Sequence, residues 1–507
     1  MEENIKIGKY TLESLTTGMY SDPKIIYREY IQNSVDALEV AVKMGLLEPH
    51  DMKIDIVVNA ENGYISICDN GTGIKSTNAV STLLNIGNSQ KSHSNNRGFR
   101  GIGRLGGMSY CGRLVFTTSA ANENSKTIVE FDCKKLKQLL VPGAYEDMDL
   151  TTVISRVTKV RTEREKKDKH YFYVELFDVS GFSDILDVEA VKNYISQVAP
   201  LPYNTRRFFY TPDLHRFLSK CGYEIEEFPI FVGEDANELK QIFKQNCHRY
   251  HSDRNKRKSD EILSLKTFQV KIKGEIYALG WYGVCNWLGS LAEKSISGIR
   301  VRKGNILIGD NKTLNEIFKE SRFNSWAQGE LFVITDKLIP NARRDDFEQN
   351  EAYYKLIKAL KEGIGSEISK AIREASANRN DTSMKAIKEV ERVVNNATIT
   401  VEEGFNSSID KNRLLDQLKA AEESLEKAKI REELKSKVEE VKEKLARTIE
   451  EVSKSSNYKI NQVTNSIDKR SKKILAVVSD ILSEKLSKPL VDDIIEEIVT
   501  VLNGKKV

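Results

Sequence analysis

The stretch Glu29-Tyr-Ile-Gln-Asn33-Ser-Val-Asp36-Ala37 decides how this chain is read. It sits in a segment whose apolar residues Ile26, Tyr30, Ala37, Val40 and Met44 recur at helical spacing, which predicts a helix with one buried face. Asp22 is placed as the N-cap, Pro23 fits the first turn, and Gly45 fits the stop. Asn33 lies four residues after Glu29, and Asp36 three later, so a carboxylate, an amide and a second carboxylate stack along one stripe. Acids beside an apolar face are costly to bury unless something cationic or water-rich lies against them. A magnesium ion with its water and phosphates meets that need. Taken alone, the three residues also fit a solvated helix face.

The continuation narrows the choice. Residues 53–60 alternate apolar and polar, Glu61-Asn62-Gly63 reads as a hairpin turn, and Tyr64 to Cys68 is a second strand. That strand runs into Asp69-Asn-Gly71-Thr-Gly73-Ile. A carboxylate at a strand end followed by two glycines leaves an acceptor beside backbone that a ligand can approach closely. A carboxylate only accepts hydrogen bonds, so Asp69 suits a ring amine such as that of adenine. A third block, Arg97-Gly98-Phe-Arg100-Gly101-Ile-Gly103-Arg104-Leu-Gly-Gly107, follows. Such glycine density lets backbone N–H groups curl around phosphate oxygens, and the three arginines add positive charge. The polar, irregular run 76–96 before it reads as a mobile lid.

In this order the blocks resemble the GHKL ATPases, the superfamily that joins gyrase, the ninety-kilodalton heat-shock chaperones, histidine kinases and MutL. The resemblance implies the Bergerat fold, an α/β sandwich holding ATP between sheet and helices. It also implies roles. Glu29 takes the place of the general base, Asn33 of the magnesium ligand, and Asp36 of a neighbouring polar anchor. Asp69 takes the place of the adenine-amine acceptor, with Gly71 and Gly73 shaping the base pocket. Gly98, Gly101 and Gly103 match the lid glycines at the phosphates, and Lys91 matches a lid lysine that reaches the nucleotide. Thr151-Thr152-Val-Ile reads as the start of a strand, and Thr152 takes the place of the adenine-side threonine, with Thr151 where the family has glycine.

Further along, Gly298 to Asp310 reads as strand, turn and strand, and Trp326 to Ile334 as another strand. Leu338-Ile-Pro340-Asn341-Ala-Arg343-Arg344-Asp345-Asp346-Phe347 then is similar to a loop of the chaperone middle domain. Aligned on Pro340 and Asn341, Arg344 takes the place of the arginine that reaches the γ-phosphate, and Arg343 does so if the register slips by one. A planar, permanently charged guanidinium suits that task. A surface turn with internal ion pairs to Asp345 and Asp346 is the competing reading.

The chain of 507 residues is too long for one core and carries 78 basic against 74 acidic residues, so no strong polyanion-binding field is expected. The basic runs 161–169 and 249–258 read as solvated loops. The six cysteines form no CxxC pair, and Cys247-His248-x-x-His251 lacks a second cluster to complete a zinc site. With no signal pattern and no long apolar run, a cytoplasmic protein with reduced thiols is expected.

The expected fold class is an α/β sandwich over residues 1–215, an α+β middle domain over 216–372, and an all-α coiled-coil tail over 385–507, with 374–383 as a linker. Leu414, Leu418, Ala421, Leu425 and Ala428 begin a heptad seam that resumes after a skip at Leu434, Val438, Val441, Leu445 and Val452; it can serve as an internal hairpin, a dimer seam or a partner dock. The resemblance implies a magnesium-dependent ATPase switch of the chaperone type, ATP-driven closure, a homodimer and a protein client. The alternative is a MutL-like or MORC-like clamp on DNA.

Overall fold

The computed structural model describes residues 7–12, 22–85, 103–143, 145, 147–181, 183–252, 258–380, 382–405, 407–428, 434–458, 469–486 and 488–502. It separates into two compact units, Met1–Ser369 and Lys370–Val507.

The first unit opens on helix α1 (Ile25–Lys43), which begins later than Asp22. Asp22 instead makes the turn that leads in, accepting from the Lys24 N–H at 3.0 Å. Its apolar face, with Ile26, Ile31, Val35 and Leu38 all at most 1% exposed, packs on a mixed sheet. The strands are β1 (Ile54–Asn59), β2 (Tyr64–Asp69), β3 (Arg113–Ser119), β4 (Ser125–Asp132), β5 (Thr158–Arg164), β6 (Tyr171–Phe177), β7 (Ile230–Gly233) and β8 (Lys240–Gln241). Their order is β5-β4-β3-β6-β2-β1-β7-β8. All neighbours are antiparallel except β1 and β7, whose parallel register sets Ile54 opposite Ile230. Alternating burial along β1, with Ile54, Ile56 and Val58 inward, is the period of a strand with one covered face.

Two local readings change. The run 76–96 begins as a helix, α2 (Ser76–Leu84), that buries Ala79 and Leu83; residues 86–96 lie outside the described ones. Residues 150–157 are a helix, α3 (Leu150–Val157), and not the start of a strand. The reason is the cap: the Asp149 carboxylate accepts from the Thr152 N–H at 2.8 Å, and Leu150, Val153, Ile154 and Val157 recur at helical spacing.

A second sheet follows a short ribbon of β9 (Arg249–His251) and β10 (Ser259–Glu261). It holds β11 (Ser264–Ile272), β12 (Glu275–Val284), β13 (Gly298–Lys303), β14 (Ile306–Ile308) and β15 (Gln328–Val333), in the order β11-β12-β15-β13-β14. A hairpin turns across Gly274, and the strand-turn-strand at 298–308 forms as read. In the second turn Gly304 and Asn305 both have positive φ, 55° and 57°, which matches the twist of a two-residue hairpin.

A carboxylate with no solvent access ties this sheet to the segment that precedes it. Glu330 on β15 is 0% exposed. It accepts from Arg302 Nε at 2.6 Å, from Lys244 Nζ at 3.1 Å and from the Tyr203 hydroxyl. Arg302 also donates to the Gln197 carbonyl at 3.1 Å, where helix α4 (Val188–Val198) ends. Burial alone raises the Glu330 carboxyl, but Arg302 and Lys244 outweigh it and hold it at about 2. Burial and then the Arg302 charge bring Lys244 down to about 7.

The second unit is helical: α5 (Thr382–Glu403), α6 (Ser408–Lys427), α7 (Lys435–Lys454), α8 (Lys469–Lys485) and α9 (Lys488–Leu502). The heptad residues Leu414, Leu418, Ala421, Leu425, Val438, Val441, Leu445 and Val452 are buried together with Ile387, Val390 and Ala397 of the same chain. The polar run read as a linker is mostly helix, in Ser366–Asn380 and the start of α5. Its alanines and long charged side chains are good helix formers, so polarity alone does not make a linker there.

Candidate functional site

The site is built where α1 passes the end of β2. Asp69 ends β2 and is 2% exposed. One of its carboxylate oxygens accepts from the Gly71 N–H at 2.9 Å. The turn then folds onto α1, with the Thr72 N–H donating to the Ala37 carbonyl at 3.4 Å. Gly71 has no room for a side chain: a Cβ there would run into the Ala37 Cβ and backbone. Gly73 has φ +60°, and a Cβ there would strike the Ser119 carbonyl. Both glycines are therefore demanded by close backbone approach. Asp36 is buried on the α1 stripe, and Asn33 is half-buried beside it.

The same turn is held from behind. The Thr118 hydroxyl on β3 accepts from the Ile74 N–H at 2.8 Å and lies 3.1 Å from the Tyr171 carbonyl, to which it donates. His170 Nδ1 is 2.8 Å from the Gly71 carbonyl. A carbonyl only accepts, so Nδ1 carries the proton. Thr118 is thus a strand threonine beside the turn. Thr152 instead occupies the first turn of α3 with its N–H on Asp149.

One turn toward the start of α1 stands Glu29, with its side chain 13% exposed and Oε1 buried without a hydrogen-bond partner. Gly103 lies against it, since a Cβ there would collide with the Glu29 carboxylate. On the other side comes the loop from the second sheet. Arg28 donates to the Arg343 carbonyl at 2.9 Å, and the Arg344 Nε is 4.0 Å from Glu29 Oε1. The Arg344 side chain is 12% exposed, whereas Arg343 is an exposed residue. Arg344 has φ +56°, a conformation most side chains avoid at a cost of about 1–3 kcal/mol. Hydrogen bonds hold it there: its N–H donates to Asn341 at 3.2 Å, and its carbonyl accepts from Gly309 at 2.8 Å.

Arg104 differs from the expected phosphate cation. Its guanidinium is spent on the Leu83 and Asn85 carbonyls at the end of α2, and burial pulls it below its ordinary range. Lys91, Arg97, Gly98, Arg100 and Gly101 lie outside the described residues. Among the described residues no group of three or more histidines, cysteines, aspartates and glutamates could hold a metal ion, Cys247, His248 and His251 included.

These features fit a nucleotide: backbone kept bare at Gly71, Gly73 and Gly103, a buried carboxylate at Asp69, and an orphaned acid oxygen on Glu29. Sequence reading missed Arg28, Gln32, Thr118 and His170. Only Arg28 and Gln32 left a signal, as polar residues inside the buried stretch of α1. Residues 20–160 match the family model described as histidine kinase-, DNA gyrase B-, and HSP90-like ATPase. That span holds Glu29 to Asp69 and the glycine series, so it carries a GHKL-type ATPase domain; it does not reach Arg344. No curated protein matches the chain.

Proposed function

We propose that the chain is a magnesium-dependent ATPase working as a conformational switch, similar to the ninety-kilodalton heat-shock chaperones. ATP closes the lid, brings two N-terminal domains together in a homodimer, and so drives action on a protein client or partner in the cytoplasm. The observation that carries this reading is Arg344 beside Glu29, 4.0 Å apart. A residue of the second sheet's loop stands at the proposed general base, outside the matched span.

In this reading Asp69 accepts from the adenine amine, and Glu29 takes the proton of the attacking water. Asn33 holds magnesium, which when bound offsets phosphate charge. Gly98, Gly101 and Gly103 wrap the phosphates with Lys91. Arg344 exchanges its contact with Glu29 for the γ-phosphate, where charge develops, and its planar fork grips two oxygens at once.

Arg344→Ala is the test. Full-length turnover is expected to fall by roughly 10-fold or more, as for loss of a charge-assisted contact of about 1.5–3 kcal/mol. Arg344→Lys is expected to recover part of it. Arg343→Ala is the companion, because its carbonyl and not its side chain takes the Arg28 bond. Wild-type turnover in both alanine forms would show that the second sheet does not complete the site.

A further inference from the structure

We infer that Gln32 is a catalytic residue of this ATPase, holding the attacking water together with Glu29; the inference rests on the nucleotide reading of the site. Gln32 is 1% exposed, yet neither its amide oxygen nor its amide nitrogen has a hydrogen-bond partner. Buried amides in folded proteins are almost always satisfied, so an orphan needs a reason. The two buried tyrosine hydroxyls of α1 have partners: Tyr27 donates to the Ile185 carbonyl at 2.6 Å, and Tyr30 to the Arg104 carbonyl at 3.0 Å.

The orphaned atoms cluster. Gln32 follows Arg28 by four residues and Glu29 by three, which makes all three neighbours on one side of the helix. Arg28 Nε and Glu29 Oε1 are also buried without hydrogen-bond partners, and so is Asn341 Oδ1 in the loop that Arg28 grips. Atoms without hydrogen bonds therefore recur on the stretch of α1 that meets the Arg344 loop, Glu29 Oε1 having only the ion pairs with Arg28 at 3.6 Å and Arg344 at 4.0 Å. That is the chemistry of a surface shaped for water and phosphate oxygen. A position asked only to pack would take leucine or methionine.

An amide both accepts and donates, which suits it to a nucleophilic water. One O–H of the water points to Glu29 and the other to Gln32 Oε1, so the lone pair is left for phosphorus. The water oxygen bonds to the γ-phosphorus as the bond to the β–γ bridging oxygen breaks, and that electron pair leaves on ADP. Glu29 takes the proton and returns it to solvent. The water oxygen ends in inorganic phosphate, and Gln32 Nε2 donates to a γ-phosphate oxygen as charge develops there in the transition state.

The experiment is Gln32→Met in the full-length chain, a near-isosteric change that removes both polar atoms. Steady-state turnover, ATP affinity by calorimetry and the melting midpoint are measured on variant and wild type. The expected result is kcat down by about 10- to 100-fold, with KM and ATP affinity within about twofold. The melting midpoint is expected to be equal or higher, because a buried unsatisfied amide has gone. Wild-type turnover with a raised midpoint would make Gln32 a packing defect and overturn the inference. So would a loss of turnover that only tracks a fallen midpoint and lost affinity. Gln32→Leu serves in the same way should the methionine form not fold. A wild type that does not bind ATP overturns the nucleotide reading and this inference together, whereas normal binding with an unaffected Met form overturns this one alone.

Discussion

At the scale of single residues, the glycine turn after β2 was the most legible part of the candidate site. The Asp69-Asn-Gly71-Thr-Gly73 turn announced itself because two glycines after a strand acid have few other uses, and the structure gives each a backbone it would otherwise strike. Asp69→Asn is expected to abolish ATP binding and leave the melting midpoint near that of wild type. An asparagine oxygen can still accept from the Gly71 N–H, now 2.9 Å from Asp69, but its amide can set a donor against the adenine amine. Calorimetry showing unchanged affinity would remove Asp69 from the pocket. Thr152 was read onto a strand because a Thr-Thr-Val-Ile run has strand character, while the aspartate cap just before it commits the segment to a helix. Gln32 left only a faint signal, as a polar residue inside the buried stretch of α1; its lack of hydrogen-bond partners exists only in three dimensions.

At the scale of elements, the strands and their turns could be read from period and glycine, but what binds the second sheet to its neighbours could not. A glutamate between Gly329 and Leu331 looks like a solvent-facing strand residue, and its partners Tyr203, Lys244 and Arg302 come from distant segments. Glu330→Gln is expected to destabilise the first unit by about 3–5 kcal/mol in denaturant unfolding, because it leaves Lys244, Arg302 and Arg300 buried without their counter-charge. Burial pulls Arg300 too, down to about 10, with Arg302 adding to it. The cluster also gives stability a pH signature. Lys244 sits at about 7 when folded against an ordinary 10.5, so between those values the unfolded chain binds more protons. Its contribution therefore rises as pH climbs from about 7 toward 10.5 and is lost as pH falls through 7. Glu330 is held at about 2 against 4.5, so its contribution is full above 4.5 and is lost as pH falls toward 2. Calorimetric melting across pH 7 to 10 is expected to show a rising midpoint in the wild type and a weaker rise in Lys244→Met.

At the scale of the whole molecule, the apolar heptad positions of the tail are buried together, and sequence left open what buries them. Leu418 is 0% exposed within its own chain's helices, so Leu418→Ala is expected to cost about 2–5 kcal/mol in the second unit, independent of protein concentration. A melting transition that moves with concentration would instead make the seam intermolecular. The loop contact on α1 has a consequence in time. The bond from Arg28 to the Arg343 carbonyl spans 315 residues of chain. At ribosomal speeds of about 5–20 residues per second, α1 emerges roughly 15–60 s before its arginine loop does. The first sheet must likewise wait for Ile230 before β1 gains its parallel neighbour. During translation Asp69 and its glycine turn are therefore made while Arg344 is still to come. Under the proposed roles, a nascent chain holds its nucleotide-binding turn well before it gains the arginine that turnover is proposed to need.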